Sequence, residues 1–285
     1  MEIYHADILI HQRHILAEGP IWNKARKALQ YVDITGCTLH TFDVASGELT
    51  AERFTQNVGC FALCQSGGMI LGLAAGVYLR GEDPLSMRKF PGLDFDPLVR
   101  ANDGKCDPKG RFWFGTADQV NGIRRSELFC MPGDGRCVKM LDDIECSNGL
   151  AFLGDQVYFI DSPSRKILRF TLDEETMTLR DCRVAIEIDP AHGVPDGMTW
   201  DEEGMLWVAH WDGGFVGRYN PETAEMLAKV IIPASRCSSC CFGGEDMQTL
   251  YITSASTERE YEPDAGKIFF IHLPYRGVES SLFIA

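Results

Sequence analysis

The chain has 285 residues, 45% of them hydrophobic, which allows a sizeable core and argues against disorder. Its formal net charge of −14 comes with no basic stripe, so nucleic acid is a poor partner, and no apolar run is long enough to span a membrane. Eleven cysteines, an odd number at irregular spacing, follow a start ("MEIYHADILIHQRH") without a basic n-region; they predict free thiols in a cytoplasmic protein with no signal peptide, not a disulfide framework.

In chain order, the first predicted element is a strand around His5–Ile10. His11 and His14, spaced H-x₂-H just after it, lack further ligands and read as exposed strand residues. Next comes "LAEGPIW", Leu16 to Trp22, which sets the carboxylate of Glu18 in apolar surroundings, a costly place for an unpaired acid. Segments that resemble it return as "VGCFALC" at Val58, "NDGKCD" at Asn102, "SNGLAF" at Ser147, "PDGMTW" at Pro195 and "SSCCFG" at Ser238. Their anchors are Gly19, Gly59, Gly104, Gly149 and Gly197, with Cys240 in the last slot. After each anchor come a turn, such as "PKGR" or "DEEG", and an aromatic or aliphatic strand, such as "RFWFGTA", "MLWVAH" or "TLYITSA". A further strand follows, as in "KILRFTLDEETM", where Leu168, Phe170 and Leu172 alternate with polar neighbours.

No long segment carries a 3.6-residue period. Six units of roughly 40–48 residues, each with about four short strands, therefore predict an all-β fold, a six-bladed β-propeller. One propeller domain accounts for residues 1–285, and no Pro/Ser-rich tract or charge block divides them. The N-terminal strand is expected to complete the blade built by the C-terminus. The alternative, a pair of two-sheet β-sandwiches, does not explain the regular interval. "CSSCC", Cys237 to Cys241, holds one C-x-x-C without a second pair, and reads as small buried hydrophobes on a strand, as do Cys60 and Cys64.

In a propeller the first strand of each blade lines the central channel, so equivalent positions point at one axis. The residues just before the anchors are Glu18, Val58, Asp103, Asn148, Asp196 and Ser239. Converging acids repel one another, and a bound cation removes the repulsion. Hard oxygen donors suit a divalent ion, which makes Glu18, Asn148 and Asp196 candidate metal ligands. The plainer reading of each residue alone is a turn, because Asp-Gly and Asn-Gly are common turn pairs.

"AEGPIW", "RANDGKCDPKGRFWFGTA", "CSNGLAF", "PDGMTWDEEGMLWVAHW" and "CCFGGEDMQTLYITSA" together resemble the SMP-30/gluconolactonase, or regucalcin, family, in order and at the expected intervals from about Leu16 to Ala255. The resemblance implies a six-bladed propeller that hydrolyses sugar lactones with one divalent metal ion (Ca, Mg, Mn, Zn or Fe). It places the metal ligands at Glu18, Asn148 and Asp196 and the substrate-binding pair at Arg100 and Asn102, with Asp103 following as a wall residue. After "FGTA" the chain departs from the family pattern. "DQVNGIRRSELFCM" is a short segment in which Asp118 or Gln119 is the candidate for an acidic substrate contact. Arg124 and Arg125 in that loop read as solvated charges or as contacts to a polyhydroxyl substrate. His210 and Trp211 are placed either at the channel mouth or in a packed strand end.

The expected reaction is ring opening of an aldonolactone, with Asp196 as the base that takes a proton from water. No G-x-S-x-G elbow, phosphate loop or dinucleotide fingerprint offers another chemistry. The rival readings are a calcium-binding regulatory protein without significant turnover and a phosphotriesterase-like propeller hydrolase.

Overall fold

A computed structural model describes residues 1–83, 86–119 and 126–284. Among these residues the strands form six antiparallel sheets in chain order, at 17–53, 58–89, 99–144, 147–187, 194–231 and 237–272. This is the six-bladed propeller expected from the repeat. No helix among the described residues is long and apolar enough to cross a membrane.

The ring closes through the N-terminal segment. Asp7–Ile10 pairs antiparallel with Ile268–His272, adding the outer strand of the sixth blade. The strand before it has a second role that the repeat did not reveal. Glu2–His5 lies parallel to Met226–Ile231 and gives the fifth blade a fifth strand. The seam is further held by a bridge from Leu16 to Ala255 and by the Ile15 carbonyl, which accepts from the Ser256 amide at 3.0 Å.

Neighbouring blades interlock through one repeated aromatic contact. The second strand of a blade presents an aromatic ring to the inner strand of the next. Trp113 meets Phe152 at 5.4 Å between ring centroids, Trp207 meets Phe242 at 5.3 Å, and Tyr251 meets Trp22 at 5.7 Å. The last of these joins the sixth blade to the first. Phe152 and Phe242 are buried; a side chain of this kind contributes roughly 1.5–3 kcal/mol relative to exposure.

The turns before these aromatics also repeat. In "DPKGRFW", Asp107 accepts from the amides of Lys109 and Arg111 with one oxygen and from the Trp113 indole with the other, at 2.8 Å. In "DEEGMLW", Asp201 accepts from the amides of Glu203 and Met205 and from the Trp207 indole at 2.9 Å. An acid six residues before a tryptophan thus satisfies both the turn and the buried indole, which a dry core requires.

Each inner strand leaves regular register within two residues of its anchor. The shifts fall between Glu18 and Ile21, Val58 and Cys60, Ala101 and Gly104, Asn148 and Leu150, Pro195 and Met198, and Cys237 and Ser239. The motif seen in sequence is therefore a β-bulge repeated six times, a device that re-aims side chains. Glycine at two of these sites answers to space. A Cβ on Gly149 would lie 2.7 Å from the Asp196 carbonyl, and one on Gly197 would lie 2.1 Å from the Ser239 hydroxyl. Inner strands of adjacent blades approach too closely there for any side chain.

The end of the chain crosses the far face of the ring. Gly277 bridges to Asp201, Ser280 and Ser281 reach the hub, and buried Phe283 pairs with Cys64. All eleven cysteines are free. Cys237, Cys240 and Cys241 are buried on the inner strand of the sixth blade, and Cys60 and Cys64 are buried in the second, as their composition suggested. His14 corrects the reading of an exposed H-x₂-H pair. It is 1% exposed, with Nδ1 on the Gly266 carbonyl at 2.9 Å and Nε2 on the Tyr31 hydroxyl at 3.0 Å, while His11 is exposed. The chain turns inward at the ring seam between them, which spacing along a strand does not reveal.

Candidate active site

The bulges divide the hub into two spaces. The larger is an open cavity of about 320 Å³, lined by Glu18 from the first blade, Arg100, Asn102 and Asp118 from the third, Asn148 from the fourth and Asp196 from the fifth. Residues from four blades, more than 170 positions apart in the chain, thus share one chamber. The smaller space, about 30 Å³, lies past the bulges toward the far face and includes Asp103 and Lys105.

Hydrogen bonds fix most of the polar side chains in the cavity. Asn102 donates Nδ2 to Asn148 Oδ1 and to the Ser147 carbonyl, each at 2.8 Å. Asn148 donates Nδ2 to Ser162 Oγ at 2.8 Å. Ser162 begins a short 3-10 turn, Ser162–Ser164, at the rim of the fourth blade. These bonds orient the Asn148 amide so that its oxygen keeps one lone pair free. Arg100 donates Nη1 to Asn102 Oδ1 at 2.5 Å and to the Ala101 carbonyl at 3.0 Å.

The two acids are held differently. Glu18 accepts only from the Gly19 amide, at 3.0 Å, and among the described residues neither Glu18 nor Asp196 has an ion-pair partner. Burial, and then the charge of Asp103, push the Glu18 carboxyl up to about 8. Burial, then Glu18 and Asp103, raise Asp196 well above the carboxylate range, with Arg100 opposing. The Arg100 guanidinium is lowered by burial, against the attraction of nearby thiols and acids. Two buried acids that are both raised by burial, and further, Glu18 by Asp103 and Asp196 by Glu18 and Asp103, form a site that favours either protons or a cation.

The donor set fits a hard divalent cation. Among the described residues no three His, Cys, Asp or Glu side chains cluster closely enough to hold an ion by themselves. A cation here would draw on the two carboxylates and the amide oxygen of Asn148, a set suited to Ca²⁺, Mg²⁺ or Mn²⁺ and leaving coordination positions for water.

Other sequence-derived candidates separate on inspection. Asp118 lines the cavity. Gln119 is exposed, bonds the Pro97 carbonyl at 3.4 Å, and is not among the residues lining it. Asp103 is not a wall of the open cavity either. The bulge between Ala101 and Gly104 turns it toward the far chamber, where its Oδ1 accepts from the Gly104 amide at 2.8 Å. His210 is fully buried, bonded to the His192 carbonyl and the Tyr219 hydroxyl at 3.0 Å each, whereas its neighbour Trp211 lines the mouth. Arg124 and Arg125 lie outside the described residues. Sequence reasoning missed Cys146 and Ser162 as lining residues; the only signal was their position beside Asn148 and at the end of "VYFIDS".

Fold and site define a six-bladed β-propeller whose hub carries two carboxylates and an amide facing an arginine–asparagine pair. Residues 16–256 match the SMP-30/Gluconolactonase/LRE-like region. A regucalcin of Gallus gallus is 36% identical over 273 residues, covering 91% of each chain. A 6-deoxy-6-sulfogluconolactonase of Pseudomonas putida is 32% identical over 283 residues, 96% of this chain and 97% of that one. The crystal structure of the calcium-binding protein regucalcin from Agrobacterium tumefaciens shares the fold with a TM-score of 0.91 over 99% of both chains at 24% identity. The chain belongs to the SMP-30/gluconolactonase/LRE-like family.

Proposed function

We propose that this protein is a metal-dependent hydrolase that opens sugar lactones to aldonic acids. The observation that carries the reading is the shared cavity, in which Glu18, Asn148 and Asp196 stand together with Arg100 and Asn102. The sulfogluconolactonase relative supports lactone hydrolysis as the reaction class.

A bound divalent cation would be held by Glu18, Asn148 and Asp196, and would supply polarisation of the ester carbonyl and a more acidic water. The protein's own groups position and move protons. Arg100 spends Nη1 on Ala101 and Asn102, and so presents the rest of its guanidinium to substrate oxygens from a fixed place. Asp196 accepts the proton as water oxygen bonds to the lactone carbonyl carbon. The ring C–O bond then breaks, the proton passes to the departing ring oxygen, and a hydroxy acid leaves.

A regulatory calcium-binding protein would use the same three ligands. The Arg100–Asn102 pair favours the enzyme, since an ion buffer gains nothing from a guanidinium beside its ion. The test is acid release from a panel of pentono- and hexonolactones, using metal-stripped protein with Ca²⁺, Mg²⁺, Mn²⁺, Zn²⁺ or Fe²⁺ restored. Turnover that needs an added ion is expected. Absence of acid release from every lactone with every ion would favour the binding protein.

A further inference from the structure

The cavity mouth is amphipathic. Its polar side is built by Arg100, Asn102 and Asp118 on the third blade. Leu16 of the first blade and Val194, Pro195 and Trp211 of the fifth line it as well and carry no charge. Trp211 ends the strand Leu206–Trp211, where it pairs with Val194. It is half-buried, whereas Trp22, Trp113 and Trp207 are buried in the blade contacts. The Arg236 guanidinium lies over its ring, 4.7 Å from the centroid. Arg236 is itself fixed, donating to Glu258 at 2.7 Å and to Asp212 at 3.3 Å, with a side chain only 8% exposed. A cation on one face of an indole holds the ring in place without closing its other side.

A half-buried indole braced in this way has no structural need to stand at the mouth, because no aromatic ring among the described residues stacks on it. The substrate class proposed above supplies a partner. A sugar lactone carries hydroxyls on its edges and C–H groups on its faces. With its edge toward Arg100 and Asn102, it turns a C–H face toward the apolar side of the mouth. We infer that Trp211 is the substrate-binding platform for the sugar ring, and that Arg236 is a positioning residue that holds the indole flat from behind. This inference rests on the lactonase reading. It adds a specificity element: rigid rings are preferred over open-chain esters, which present no flat face.

The test combines kinetics with intrinsic fluorescence. Trp211→Ala is expected to raise KM for a hexonolactone about tenfold with kcat within about threefold, the loss of roughly one stacking contact. Trp211→Phe keeps a flat face and is expected to hold KM within about threefold of wild type. Arg236→Gln is expected to fall between them, again in KM and not in kcat. The cyclic polyol 1,5-anhydroglucitol, which has no ester to hydrolyse, should quench wild-type tryptophan fluorescence, and Trp211→Phe should abolish the quenching. An unchanged KM in folded Trp211→Ala, or quenching that persists in Trp211→Phe, overturns the platform. Where the alanine variant fails to fold, the phenylalanine variant and the quenching decide. If wild type opens no lactone, the proposed function fails by itself, and the quenching still decides whether Trp211 receives a sugar ring.

Discussion

Asn102 donates its side-chain amide to the Asn148 side-chain oxygen at 2.8 Å, from the inner strand of one blade to the inner strand of the next. The same Asn102 accepts from Arg100, so one short chain of bonds ties the candidate substrate-binding pair to a candidate metal ligand. The arrangement exists only because bulges at adjacent anchors turn both asparagines toward the axis.

That relay predicts a coupling. Asn102→Ala should leave Asn148 anchored by its donor side alone, to Ser162 Oγ and at 3.6 Å to the Cys146 sulfur, and weaken Ca²⁺ or Mn²⁺ binding by roughly tenfold, the usual scale for losing a group that orients a ligand. Calorimetric titration of the stripped protein measures it. Wild-type affinity in the variant would mean that the Ser162 and Cys146 contacts suffice.

Substitutions of Asp196 and Arg100 should separate proton transfer from positioning. Asp196→Ala is expected to abolish turnover. Arg100→Ala is expected to raise KM by about tenfold or more with a smaller change in kcat, and Arg100→Lys should not restore it, because a single ammonium lacks the planar fork. Steady-state kinetics on one lactone distinguishes these outcomes. Full activity in Asp196→Ala would remove it from the reaction.

Acid should loosen the blades through buried histidines. Burial lowers His40 to about 4 and His210 to about 3. Unfolded, both titrate near 6.5, so the unfolded chain binds more protons below that value. Their contribution is complete above about pH 6.5 and is lost as pH falls toward 4 and then 3. In urea unfolding at pH 7 and pH 5, His40→Phe, on the Tyr31 stack, should lose less stability on going to pH 5 than wild type does, a comparison in which the opposite contribution of Glu18 and Asp196 cancels. An equal slope in that variant would place the proton uptake elsewhere.

Metal removal should have the opposite pH dependence. Glu18 and Asp196 are both raised in the fold, so without a cation the contribution of Glu18 is present below about pH 4.5 and is lost as pH rises toward 8, and that of Asp196 is lost in the same direction. A divalent ion held between these acids would take the place of the lost protons. The gain in Tm on adding Ca²⁺ to stripped protein should therefore be greater at pH 8 than at pH 5, as differential scanning fluorimetry would show. A gain that shrinks with rising pH would argue against a site made from these two acids.

Much of this was legible in the chain because radial repetition writes the same physical problem six times. Six anchors in sequence became six bulges in space, and the residues before three of them, Glu18, Asn148 and Asp196, line one cavity. What stayed hidden depended on contacts between distant segments. Nothing local to Glu2–His5 says that it will lie parallel to Met226–Ile231. Asp103 shares its slot with Asn148 in the sequence repeat, yet in the strand ladder it is Asn102 that, like Asp196, directly follows the last paired residue before the shift, and Asp103, in the place of Gly197, faces the other side of the hub. His14 shares its spacing with His11, yet the seam buries only one of them. Trp211 and His210 are adjacent in a strand, and alternation sends one to the mouth and the other into the core.

The most direct measurement is an anomalous difference map from crystals of the protein soaked in Mn²⁺. One strong peak is expected within about 2.0–2.6 Å of oxygens from Glu18, Asn148 and Asp196 together. A protein that binds the ion in solution but shows its peak beside Asp103, or at any position out of reach of those three side chains, would contradict the account.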